Sequence, residues 1–412
     1  MTETQNDPSR RGRAVHKRSH PKWLLALVLV LACASYAGAQ DRTTMDIYGF
    51  VMLDMGHDFK TIDPDWFDTM RVTKLPAFEG EFGKDHDTFA GIRQTRFGVK
   101  TSTPTSLGDL KTQFEFELFG TGVDAGQTTL RMRHAYGELG KFGAGQTWSP
   151  FMDPDVFPNS LEYWGPTGMV FYRNVQFRWT PIQGDTNLVL AVERPGASGD
   201  SGVFADRNEL QGIQSRFPLP DFTGAFTYGK KWGYLRAAGA IRRINWDDTV
   251  NDQFELGDHV MGWGINLSSN LKVKNDVVRL QFVYGEGIEN YMNDSPVDVG
   301  IKMNNDPVRP FKGEPLPIVG VVAFLDHKWS ERWGSTIGYS RQDIDNSDGQ
   351  AANAFKVGQY ALGNVVFYPV SNVMVGGEFQ WGQRENNSDG FHSDGYKLQF
   401  SFKYNFTKRL GG

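Results

Sequence analysis

The sequence predicts an all-β protein: a sixteen-stranded antiparallel transmembrane β-barrel with short periplasmic turns, long extracellular loops and an inward-folded third loop. Three observations predict it. From residue 45 onward, apolar and polar residues alternate with period two, the mark of strands with one apolar face. The links between those strands alternate between short and long around an even strand count, as an outer-membrane barrel requires. Trp179, Trp232, Trp329, Trp333 and Tyr368 sit at or beside the short links, where an interfacial aromatic girdle belongs.

The first element is not a strand. Arg18 and Lys22 precede a twelve-residue apolar run, Trp23 to Ala34, and Ala37-Gly38-Ala39 follows it. A positive stretch, a short apolar run and a small-residue cleavage site describe a secretory signal peptide. Residues 1–39 are therefore expected to be removed and 40–412 to form the barrel. The run is too short for a membrane-spanning helix, which needs about 20 residues. Cys33, the only cysteine, would leave with the signal, and disulfide or thiol chemistry with it. Residues 1–39 hold six basic and two acidic side chains. Taking these from the chain's 43 and 48 leaves 37 and 46, a charge of -9 on the exported part. A nucleic-acid binder needs the opposite balance.

Sixteen strands follow, near 46–58, 91–101, 109–119, 129–138, 142–148, 169–179, 187–193, 222–228, 234–244, 259–269, 276–285, 317–327, 334–342, 357–368, 373–384 and 395–406. In the last, Tyr396, Leu398, Phe400, Phe402, Tyr404 and Phe406 form one face, and Lys397, Gln399, Ser401, Lys403 and Asn405 the other. A soluble sandwich alternates in the same way, so the links decide. Those after even strands are short, such as Leu139-Gly140-Lys141 and 369–372. Those after odd strands are mostly long and polar, such as 59–90, 149–168, 194–221 and 286–316. A sandwich has no reason to segregate link lengths. The terminal strand resembles the signal read by the barrel-assembly machinery, although six residues follow Phe406.

With the apolar faces toward lipid and lipopolysaccharide, the other faces line a lumen. The inward basic residues are Arg96, Lys100, Lys111, Arg131, Arg133, Arg178, Arg236, Arg242, Arg279, Lys397 and Lys403. The inward acids are Asp46, Asp54, Glu115, Glu117, Glu193 and Glu378. The negative excess sits in loops, as at Asp247, Asp248, Asp252 and Glu255. A basic wall sets anion selectivity in pores; the plainer alternative is charge that keeps a channel wet. The third loop carries Phe151, Met152, Val156, Phe157, Leu161 and Tyr163, too apolar for open solvent. It is expected to fold inward, with Asp153, Asp155 and Glu162 facing Arg96, Arg131, Arg133 and Arg242 across a constriction. Packing against a neighbouring subunit is the alternative.

Four segments, Arg93-Gln94-Thr95-Arg96-Phe97-Gly98, Leu130 to Gly137, Gly145 to Asp153 and Tyr284-Gly285-Glu286-Gly287-Ile288, resemble the DcaP-like trimeric porins. The resemblance spans roughly residues 45–406. It implies a homotrimer of sixteen-stranded barrels and uptake of small anions such as dicarboxylates. Two departures stand out. Only Gln40 to Thr44 precede the first strand, where some members carry a coiled-coil extension, and Glu289-Asn290 replaces the expected Gly-Arg. An enzyme is the rival class. The chain has eight His, but none lies in a nucleophile motif, and His134 falls on the apolar phase of its strand. Asp63-Pro64-Asp65 and Asp153-Pro154-Asp155 lack calcium-loop spacing. No cofactor, metal or catalytic residue is expected. A purely structural or adhesive barrel is the third option.

Overall fold

The computed structural model describes residues 43–411, so the signal-peptide expectation for 1–39 lies outside the described residues. The segments are β1 (Thr44–Asp58), β2 (Asp87–Gly91), β3 (Arg96–Thr105), β4 (Gly108–Phe119), β5 (Thr128–Leu139), β6 (Phe142–Trp148), β7 (Arg173–Ile182), β8 (Asn187–Glu193), β9 (Ile213–Arg216) and β10 (Asp221–Lys230). Then come β11 (Gly233–Asp248), β12 (Asp258–Val273), β13 (Asp276–Glu286), β14 (Val299–Met303), β15 (Phe311–Pro315), β16 (Pro317–Lys328), β17 (Trp333–Ile344), β18 (Phe355–Val370), β19 (Val373–Asn386) and β20 (His392–Leu410). Apart from the β14–β15 hairpin, all belong to one antiparallel sheet of 18 segments. β2 and β3 both pair with β1, and β9 and β10 both pair with β11. Each is one strand interrupted, which leaves sixteen barrel strands. Pro218 and Pro220 stand in the second gap, where residues without an N–H cannot continue a ladder.

The sheet closes where β1 meets β20 antiparallel, from Met45 opposite Leu410 to Asp58 opposite Lys397. The residues after Phe406 are therefore not a tail: Thr407 to Leu410 continue the ladder against Tyr48 to Met45. The sixth strand also starts later than expected, at Arg173, because the third loop runs on to Tyr172. Outward side chains such as Phe114, Phe177, Leu267 and Phe400 are exposed, as are Trp179, Trp232, Trp329 and Trp333 beside the turns. Tyr368 is the exception to the girdle. It points inward and packs on Met52, Leu161, Val366 and Met374.

Three loops enter the lumen, not one. The first (59–86), third (149–172) and sixth (287–316) share a core with the wall. Met70, Val72 and Leu75, then Phe151, Met152 and Met169, then Ile288, Tyr291 and Met292 pack on Val283, Ile318, Val322, Tyr360 and Leu362. The wall makes room with glycine. A Cβ on Gly168 of the third loop would lie 2.8 Å from Val321 N, and one on Gly382 of β19 would lie 2.8 Å from Met70 Sδ.

A basic constriction as candidate functional site

The basic cluster grows from the register of β3, β4 and β5. Arg96, the first residue of β3, stands opposite Glu117. On the other side of β4, Glu117 faces Arg131 and Glu115 faces His134, but Phe116 faces Met132, so Arg133 is an extra residue. Such a β-bulge re-aims the side chains around it. Above it Arg131 and Arg133 reach inward; below it the phase flips, and His134 and Tyr136 reach inward instead. His134, expected on the apolar face, is thus buried inside the barrel, its Nδ1 3.0 Å from Thr147 Oγ1.

Four guanidinium groups converge on two carboxylates. Arg133 donates from Nε to Glu115 and from Nη1 to Glu117, each at 2.7 Å. Arg96 Nη2 lies 3.2 Å from Glu117, Arg131 Nη1 3.8 Å and Arg173 Nη2 3.9 Å. The Tyr163 hydroxyl of the third loop donates to the same carboxylate. Four positive charges against two negative leave an excess of two. Arg133 and Arg173 are buried; Arg96 and Arg131, at 24% and 29% side-chain exposure, remain within reach of a solute. Arg173 Nη1 is buried without a hydrogen-bond partner. A planar fork of donors suits a carboxylate, and the part-exposed Arg96 and Arg131 give a passing one a place to bind.

Four of the other expected wall residues, Arg236, Arg279, Lys397 and Arg242, hold loops. Arg236 donates to the carbonyls of Pro150 and Met152, and Arg279 to that of Asp155. Lys397 is fully buried and donates to Phe67 O at 2.8 Å and Thr69 O at 2.9 Å, pinning the first loop. Arg242 does not face the third loop. It pairs with Asp298 at 3.1 Å and Asp221 at 3.3 Å, and donates to Asn290, tying down the sixth loop. Arg178 lies lower, beside Tyr136, donating to Trp148 O at 2.5 Å. Nor do the third-loop acids face the arginines. Asp153 accepts from Tyr234 and Ser268 of the far wall. Asp155 lies beside Asp153, Arg236 and Arg279. Glu162 is buried and accepts backbone N–H bonds from Met70 and Gly165. Tyr163 makes the contact those acids were expected to make.

Two functional residues lie outside the expectation. Arg173 falls on the outward phase of the sixth strand, and only the turn out of the third loop swings it inward. Arg71 sits in the first loop, its guanidinium 4.0 Å from the ring centroids of both Trp66 and Trp164 and 2.7 Å from Asp294. It clamps all three inward loops together.

A barrel of this fold has known counterparts. The DcaP outer membrane protein family model matches residues 34–406. The chain belongs to the DcaP outer membrane protein family. The crystal structure of the outer membrane channel DcaP of Acinetobacter baumannii superposes with a TM-score of 0.75 at 22% identity, covering 89% of this chain and 98% of that one. An anion-selective porin from Comamonas acidovorans gives 0.57 at 11% identity, covering 88% and 100%. OmpT of Vibrio cholerae in its trimer form gives 0.54 at 12%, covering 89% and 100%. No curated protein matches in sequence. As a DcaP-family barrel, the chain is a porin-type protein of the outer membrane.

Proposed function

We propose that this DcaP-family barrel is a passive channel for small hydrophilic solutes that favours anions, dicarboxylates among them, and that it works as a homotrimer. The observation that carries the reading is the two-charge excess of guanidinium over carboxylate where β3, β4 and β5 meet the third loop. A solute carboxylate that meets Arg96 and Arg131 exchanges water for charge-assisted hydrogen bonds worth about 1 kcal/mol each in wet surroundings. That is weak enough to release the solute, as conduction requires. The trimer reading rests on the family resemblance and on a structural neighbour solved in trimer form.

Arg96→Ala with Arg131→Ala tests it. Both side chains are part-exposed, so their loss leaves the buried clamp of Arg133 on Glu115 and Glu117 in place. In a planar bilayer under a potassium chloride gradient, the reversal potential of the double variant is expected to move toward cations, and block by succinate to weaken. An unchanged reversal potential would refute the reading.

A further inference from the structure

From this cluster downward, the cations of the wall stand over aromatic rings. Arg96 Cζ is 5.2 Å from the Phe50 ring centroid and Lys403 Nζ is 4.0 Å from the same ring. Lys100 Nζ is 5.0 Å from Tyr48, and Arg178 Cζ is 5.6 Å from Tyr136. At the top, Tyr163 stacks on Phe119 with ring centroids 3.8 Å apart while its hydroxyl meets Arg131 at 3.4 Å. The four cations Arg96, Lys100, Arg178 and Lys403 lie within the roughly 6 Å over which a ring face attracts a cation. The register strings them in one line: Phe50 opposite Arg96, Tyr48 two residues below it, and Gln113 between Lys100 and Tyr136. Phe50, Tyr48 and Tyr136 are half-buried on the inward phase of their strands. Lys100, Tyr136 and Arg178 also line an open cavity of about 360 Å³ at the periplasmic end.

We infer that this basic–aromatic track selects, among small anions, those that carry an aromatic ring: aryl carboxylates in preference to aliphatic ones. The inference rests on the anion-selective reading above and narrows it. A carboxylate pairs with one cation of the line while its own ring lies edge to face against Phe50 or Tyr48, or flat on the next guanidinium. An aliphatic anion of the same size pairs equally well with the cation but offers no ring to the neighbour. The spacing of cations then lets the solute move one station at a time toward the periplasm.

The test compares benzoate with cyclohexanecarboxylate, which match in charge and nearly in size, as blockers of the single channel. Benzoate is expected to dwell roughly two- to five-fold longer, the equivalent of one ring contact. Phe50→Leu is expected to abolish that difference while leaving the potassium chloride reversal potential unchanged. Phe50→Tyr, which keeps the ring, is expected to retain it. Equal dwell times in the wild type, or a difference that survives Phe50→Leu, would overturn the track. A cation-selective reversal potential with the benzoate preference intact would instead overturn only the anion reading.

Discussion

Glu117 is fully buried and is the one side chain that Arg96, Arg131, Arg133, Arg173 and Tyr163 all approach. Its carboxylate orders the arginines and at the same time cancels part of their field. Replacing it with Gln keeps the shape and removes one negative charge. Glu117→Gln is therefore expected to shift the reversal potential further toward anions, opposite in sign to the loss of Arg96 and Arg131, and to lengthen anion block. Glu162, in the third loop, offers a second test. Burial pushes its carboxyl up to about 8, and the neighbouring Glu378 adds to the rise, against the pull of the backbone N–H groups of Gly165, Trp164 and Met70. An acid raised in the folded state supports the fold fully below its unfolded value, here near 4.5, and loses that support as pH climbs through the folded value. Gating noise from third-loop motion is expected to grow between about pH 7 and pH 9. Glu162→Gln, which carries no charge at any of these values, is expected to be flat over the same range.

The loops show what each element contributes. Arg71 lies between Trp66 and Trp164 and pairs with Asp294, so one side chain joins the first, third and sixth loops. Its loss leaves Asp294 almost fully buried with only Thr73 as hydrogen-bond partner. Removing one member of a buried pair costs about 3–5 kcal/mol. Arg71→Ala is expected to raise open-channel noise and expose the first loop to protease, with the barrel itself intact by heat-modifiable electrophoresis. The strands, their order and the inward third loop were legible from sequence because lipid enforces a strict alternation on one face. The entry of the first and sixth loops was not. Its signal lies in strands apolar on both faces, such as Ile318 to Leu325, where Ile318, Val322 and Phe324 pack inside while Val321 and Leu325 face out. Taken singly, such a strand looks only like a very hydrophobic one. The basic residues were legible as inward-facing, but their partners were not. Lys397, Arg236 and Arg279 all donate to loop carbonyls, although Lys397 and Arg279 also pair with Asp58 and Asp326, and no alternation reports where a loop carbonyl goes. The bulge at Arg133 likewise leaves no mark in the pattern, so His134 fell on the wrong phase; Arg173 did so because the turn out of the third loop swings it inward.

At the scale of the whole molecule, closure depends on the last residues. Thr407 to Leu410 pair with Tyr48 to Met45 and complete the seam at the periplasmic rim. Ending the chain at Phe406 would leave the start of β1 with β3 as its only neighbour, an open edge in a fold that tolerates none. Such a truncation is expected to lower the yield of folded, heat-modifiable barrel, with little change in selectivity for the fraction that folds. The assembly proposed above is checked in the same preparation: native mass spectrometry in mild detergent is expected to show a species of three copies, and a monomer throughout would count against it.

The first loop also sets an order in time. It is made early, yet the groups that hold it come last: Lys397 grips Phe67 and Thr69, Ser393 grips Pro76, and Arg384 grips Thr73 and Leu75, across 309 to 330 residues of chain. Contacts that distant form late, after the intervening loops are closed. Until the last two strands are made, therefore, the first loop lacks every one of these grips.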